Sequence, residues 1–224
     1  MHLRCGQEIK SKCSMIYLGG LLQYEGRGDS ELSRRLGLAT ADFKTLEKVW
    51  LHSSLGAKRK IEIFKACVLS VLRYGLETMW LGKAARRRLD GFHARCLRKI
   101  LKVPPAYYSR ISNEEVLRRA NCLRLSRQIF SDQLILFGTI AAGEHDALRA
   151  ALFQQQGSLA LLELSGPKCR GRPRHTWSGQ LMKHAEEAAG GLENLNRSLV
   201  VRPISGEWRH TVSSYIGALP FRTF

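Results

Sequence analysis

Between Ala84 and Val103 a single helix has to satisfy two opposite surroundings. At about 100° per residue, Leu89, Phe92, Cys96, Ile100 and Val103 share one face, which needs burial. Arg87, Arg88, Arg95, Arg98, Lys99 and Lys102 fall within roughly 120° on the other side, and Asp90 is the only acid in the segment. A solvated helix face normally mixes both signs, and cations crowded on one arc repel one another unless something negative docks there. The pattern predicts a helical core behind this helix and a polyanion in front of it. An idle, solvated basic face is the plain alternative.

The rest of the chain reads as mainly α. Residues 1–13 are polar and predict a frayed tail. Ser14 to Gln23 is apolar with a Gly19-Gly20 break, which predicts a short β-hairpin within residues 14–28. Asp29 or Ser30 should cap a helix carrying Leu32, Leu36, Ala39, Phe43, Leu46, Val49 and Trp50 on its buried face. A second helix is expected over 57–81, with Ile61, Phe64, Cys67, Val68, Val71, Leu72 and Trp80 apolar and Lys58, Arg59, Lys60 and Lys65 crowding its first half. Tyr74-Gly75 marks a place for that helix to bend. Pro104-Pro105 stops the third helix. Ser112-Asn113-Glu114-Glu115 has the form of a capping box, with further helices over 123–140 and 145–156. These form one helical domain, 29–156. Residues 157–176 are rich in Gly, Pro and Arg and read as a linker, followed by 177–224, a short helix (177–189) and a stretch without clear periodicity.

Charge narrows the partner. Lys and Arg number 36 against 19 Asp and Glu, a formal charge of +17. Such a surface favours a polyanion that releases counterions on binding, so RNA or DNA leads. A membrane is not expected as partner, because the apolar runs are too short to span one, and the polar N-terminus does not read as a signal peptide. The expected location is intracellular, nucleus or cytoplasm. The six cysteines lack any C-x-x-C pair and read as reduced thiols; His93 with Cys96 is too thin a basis for a zinc site, so no metal is expected. The aspartates Asp29, Asp42, Asp90, Asp132 and Asp146 are scattered rather than gathered to hold two metal ions. No phosphate loop or nucleophile elbow is present, so no catalytic residue and no cofactor is assigned. Arg170-Gly171-Arg172-Pro173-Arg174 is similar to an AT-hook peptide, which gives a competing reading: DNA binding in the minor groove through Arg170, Arg172 and Arg174.

A collinear series of motifs carries a further resemblance. Tyr17-Leu18-Gly19, Lys60-Ile61, Leu72-Arg73-Tyr74-Gly75-Leu76-Glu77-Thr78-Met79-Trp80, Cys96-Leu97-Arg98-Lys99-Ile100-Leu101, Ser112-Asn113-Glu114-Glu115-Val116-Leu117, Leu136-Phe137-Gly138 and Gly171-Arg172-Pro173-Arg174 before Trp177 occur in that order. Over about residues 14 to 180 the chain resembles the part of non-LTR (LINE-type) retrotransposon reverse transcriptases that follows the palm. The resemblance implies a thumb-like helical bundle behind a primer-grip hairpin. It implies that Tyr17, Leu18 and Gly19 contact the primer backbone, and that the basic helix faces hold a template–primer duplex through phosphate. The palm, with the aspartates that hold Mg2+ in that enzyme class, lies outside the matched motifs. Met1 then looks like an internal start in an older reading frame. Thr139 stands where relatives carry His, and the C-terminal zinc-knuckle cysteines of some relatives are missing. The expectation is a fragment that binds nucleic acid and is not an enzyme on its own. An inert helical remnant or interaction module is the remaining alternative.

Overall fold

The computed structural model describes residues 12–23, 28–52, 54–143, 146–155, 157–162, 176–201 and 206–220. It is mainly α-helical with one short hairpin at the N-terminal end. β1 (Ser14–Tyr17) and β2 (Gly20–Gln23) pair antiparallel, with Tyr17 opposite Gly20 and Ser14 opposite Gln23. Leu18 and Gly19 form the turn with φ of 46° and 75°, the handedness that a two-residue hairpin loop needs to follow strand twist. Most of the expected frayed tail, and residues 24–27, lie outside the described residues.

The first core gathers around α1 (Asp29–Thr45), α2 (Glu47–Leu51), α3 (Ala57–Ile63), α4 (Ser70–Arg73) and α5 (Lys83–Ile100); α6 (Ala106–Ser109) buries none of its residues, and α7 (Asn113–Arg119) packs on the core again. Phe43 stacks on Trp50 at 5.0 Å and meets Phe64 edge-on, while the Trp50 indole N–H donates to Phe43 O at 2.8 Å. α8 (Leu125–Ala142) runs on from this core into a second one. Leu125 and Ile129 belong to the first; Phe130, Leu134, Phe137 and Ala141 belong to the second. Asp90 of α5 fixes where α8 begins: its carboxylate accepts from Ser126 N (3.0 Å) and Ser126 Oγ (2.8 Å), satisfying an N-terminal amide that would otherwise lack a partner.

Several expected boundaries are corrected. No side chain of Asp29 or Ser30 caps α1; Gly28 holds the N-cap position. The continuous helix over 57–81 is interrupted. α3 passes through a wide π turn (Phe64–Leu69) into α4, and the chain leaves helix at Tyr74 and Gly75, whose φ is 76°. The wide turn also shifts the apolar phase, so that Val68 and Leu69 are both buried and Cys67 is exposed. α5 stops at Ile100 rather than Val103. Lys102 takes a left-handed φ of 56°, and Val103 N donates to Arg98 O (2.9 Å) and Lys102 N to Lys99 O, closing the helix end. The described residues beyond Gly190, in the segment without periodicity, are mostly helical. α9 (Asp146–Ala150) is shorter than the helix expected over 145–156, while α10 (Trp177–Ala189), α11 (Leu192–Asn196), a π turn (Arg197–Val201) and α12 (Glu207–Ala218) build the second core with the distal half of α8. Trp208, Val212 and Ile216 are its buried stripe on α12. No helix among the described residues is long and apolar enough to cross a membrane.

Candidate nucleic-acid interface

α5 is enclosed by α1, α2, α3, α7 and α8, which leaves one narrow stripe of it open. Along that stripe Arg87, Arg88, Gly91, Arg95 and Lys99 are exposed or half-exposed. Between α5 and α1 lies an open groove of about 720 Å³, lined by Arg87, Arg88 and Arg95 together with Gly37, Thr40, Gly91 and Phe92. A second crevice of about 400 Å³ shares Arg87, Gly91 and Asn113 with it and extends toward Lys83 and Arg124. Arg87 and Arg95 make no ion pair among the described residues, and Arg88 donates only to Ser33 Oγ at 3.0 Å. Guanidinium groups held in this way keep donors free for an incoming anion, and their planar fork matches a phosphate.

The glycines in the lining are the part that the charge pattern did not show. Gly37 and Gly91 sit inside α1 and α5, and a methyl at either would meet nothing within 4 Å. Glycine there weakens the helix without relieving any protein contact, while leaving open a space in the groove that a side chain would enter. The signal was available: a glycine in the middle of the most strongly patterned helix. Gly37→Ala and Gly91→Ala are each expected to stabilise the fold by about 0.5–1 kcal/mol. Thermal unfolding should show a rise of roughly 2–4 °C per kcal/mol in a chain of this size.

Two residues assigned to phosphate are corrected. Lys60 is 3% exposed, and its ammonium donates to Trp50 O (2.8 Å) and His52 O (2.7 Å), closing the end of α2. Arg98 is 8% exposed. Its guanidinium donates to Pro104 O (2.9 Å), Ile111 O (2.6 Å) and Asn113 Oδ1 (3.0 and 3.2 Å). Its direction from the helix axis is the predicted one, but the chain after α5 folds back over it. Lys99 is exposed and paired with Glu47 at 2.5 Å, a surface contact that a phosphate can displace. The neighbouring lysine holds the Glu47 carboxyl below its ordinary range. Lys58 and Lys65 are exposed on α3 and the π turn, outside the groove, and Lys102 is exposed just past α5. Arg170, Arg172 and Arg174 lie outside the described residues.

The hairpin tip is held from behind. Gly19 O accepts from Arg34 (2.6 Å) and Arg35 (2.5 Å), and Leu18 O accepts from the Tyr74 hydroxyl (2.8 Å). Glu31, 1% exposed, accepts from Leu21 N and from both arginines. Burial pushes its carboxyl up, but those hydrogen bonds outweigh it and hold the group below the usual range. What Tyr17 and Leu18 offer outward is therefore side chain, 57% and 76% exposed, while the carbonyls of Leu18 and Gly19 are already engaged.

The predicted capping box is half present. Ser112 Oγ accepts from Glu115 N at 3.2 Å, but the Glu115 carboxylate turns to Arg118 and Arg119, whose hydrogen bonds bring it down to about 2. Burial lowers His93 to about 4, so the imidazole is neutral at physiological pH, stacked on Phe64. Among the described residues no three His, Cys, Asp or Glu side chains converge on a metal-sized site. Comparisons with protein-family models, with curated proteins and with solved structures give no match, so the likeness to non-LTR reverse transcriptases rests on the sequence motifs alone.

Proposed function

We propose that this chain is a nucleic-acid-binding module: the thumb-like part of a retrotransposon reverse transcriptase, gripping a template–primer duplex without carrying out chemistry itself. The observation that carries this reading is the groove between α1 and α5, with Arg87 and Arg95 free of protein anions among the described residues and two helical glycines in its lining. Contacts of this kind are made to phosphate, so binding is tolerant of sequence and sensitive to salt. Polymerisation belongs to a palm domain with its own metal-binding carboxylates, and this chain contributes the hold on the duplex.

The test compares two variants with the same loss of charge, using a labelled RNA–DNA hybrid. One carries Arg87→Gln, Arg88→Gln and Arg95→Gln; the other carries Lys183→Gln, Arg197→Gln and Arg209→Gln, on the elements of the second core. The groove variant is expected to lose more than about tenfold in affinity and the control far less. Equal losses mean that charge alone drives binding, as in an inert basic remnant. Binding that survives the groove variant but not Arg170→Gln, Arg172→Gln and Arg174→Gln transfers the function to the AT-hook-like strap. Gly91→Gln is a sharper probe of the same groove: it favours the helix yet puts a side chain into the groove, and should weaken hybrid binding without lowering the melting temperature.

A further inference from the structure

Immediately beyond the basic stripe, the chain presents two tyrosines side by side to solvent. Tyr107 and Tyr108 are 69% and 75% exposed, with ring centroids 4.3 Å apart and planes tilted by 40°. Neither hydroxyl has a protein partner among the described residues. Two aromatic rings left this open forgo the burial that usually accompanies such residues. The segment that carries them, the short helix α6 and its flanks, is nonetheless firmly held. Arg98, buried beneath it, binds Pro104 O and Ile111 O on either side of the tyrosines, and Ser109 Oγ donates back to Pro104 O at 3.1 Å. The segment is bracketed by two exposed cations in the left-handed region, Lys102 (φ 56°) and Arg110 (φ 55°), a conformation costing roughly 1 kcal/mol for a residue with a side chain. Strained ends, a buried guanidinium clamp and open rings describe a platform set in advance rather than a loose loop.

We propose that Tyr107 and Tyr108 are a stacking platform for the bases of a single-stranded segment, with Lys102 and Arg110 meeting its phosphates. Single-stranded nucleic acid is the occupant because the tyrosines offer ring faces to bases while the cations at both ends, and the arginine stripe leading up to them, offer charge to the backbone. The inference deepens the reading of the α5 groove and rests on it: duplex lies in the groove, and a strand leaving it passes over the tyrosines. Asn113 links the two places, lining the groove while accepting from the Arg98 that pins the segment.

The experiment uses the full chain and three probes: an oligothymidine strand, an abasic deoxyribose-phosphate strand of equal length, and a blunt RNA–DNA hybrid. Tyr107→Leu with Tyr108→Leu should weaken oligothymidine binding by roughly tenfold or more, the scale of losing base–aromatic stacks. Binding of the abasic strand and of the hybrid should be unchanged, and Tyr107→Phe with Tyr108→Phe should keep oligothymidine binding. Equal losses on the thymidine and abasic strands, or no loss on either, overturn the platform. The groove reading fails separately, when the Arg87, Arg88 and Arg95 variant leaves hybrid affinity unchanged. A platform failure with groove binding intact condemns the platform alone.

Discussion

Arg98→Ala should lower the stability of the fold by about 3 kcal/mol or more, although the residue stands in a row of surface arginines. Removing the guanidinium strips partners from Pro104 O, Ile111 O and Asn113 Oδ1 at once, in a place where the side chain is 8% exposed. Hydrogen bonds to a charged group contribute about 1.5–3 kcal/mol, more than the average bond, and this buried guanidinium makes several at once. Arg95→Ala, three residues earlier and exposed, should change stability by no more than about 0.5 kcal/mol. Urea denaturation of the two variants separates these roles: the Arg98 midpoint should fall steeply and the Arg95 midpoint should stay. Equal midpoints would show that the segment over Arg98 is not clamped as described. For that reason Arg98 does not belong in any variant meant to probe binding, since unfolding would then be mistaken for weakened affinity.

The second large effect is at Gly138. A methyl there would lie 2.0 Å from Trp208 Nε1, 2.2 Å from its Cδ1 and 2.7 Å from its Cε2. The indole cannot withdraw freely, because its N–H donates to Leu134 O at 2.8 Å and the ring is 8% exposed. Gly138→Ala should therefore destabilise by about 3 kcal/mol, combining overpacking with a broken buried hydrogen bond. The damage should centre on α12 and the second core, seen as a red shift in tryptophan emission and faster proteolysis after α10. Gly138→Ala combined with Trp208→Leu should recover part of the loss, since the clash is then gone. Wild-type stability in the single variant would mean that α12 does not pack on α8 in this way.

These two positions show where sequence was sufficient and where it was not. The α5 pattern identified a two-sided helix because apolar and basic residues repeat at helical spacing, and that signal is local. The fate of Arg98 and Lys60 is not local. Arg98 points with its basic neighbours but is covered by a segment that begins beyond Pro104-Pro105, and Lys60 reaches back to the end of α2. Nothing at either position distinguishes a cation that caps carbonyls from one that meets solvent. The hairpin was legible from its Gly19-Gly20 break, although Arg34, Arg35 and Tyr74 holding its tip were not, being contacts across 15, 16 and 56 residues. Beyond Gly190 the stripe is split among α11, a π turn and α12; the first two are too short to show a repeat, and only α12 carries one, at Trp208, Val212 and Ile216. The break at Gly75 was visible as a glycine, but the π turn before it was not. That turn moved Cys67 out of the core and brought Leu69 in.

The measurement that bears most directly on the central claim is the slope of log affinity against log salt for an RNA–DNA hybrid, for the natural chain and for the Arg87, Arg88 and Arg95 glutamine variant. Removing one phosphate contact should flatten that slope by roughly 0.7–0.9, so the variant should be flatter by about two units or more. The control triple variant at Lys183, Arg197 and Arg209 should keep the original slope. An unchanged slope in the groove variant would contradict the account, because the duplex would then be held somewhere other than between α1 and α5.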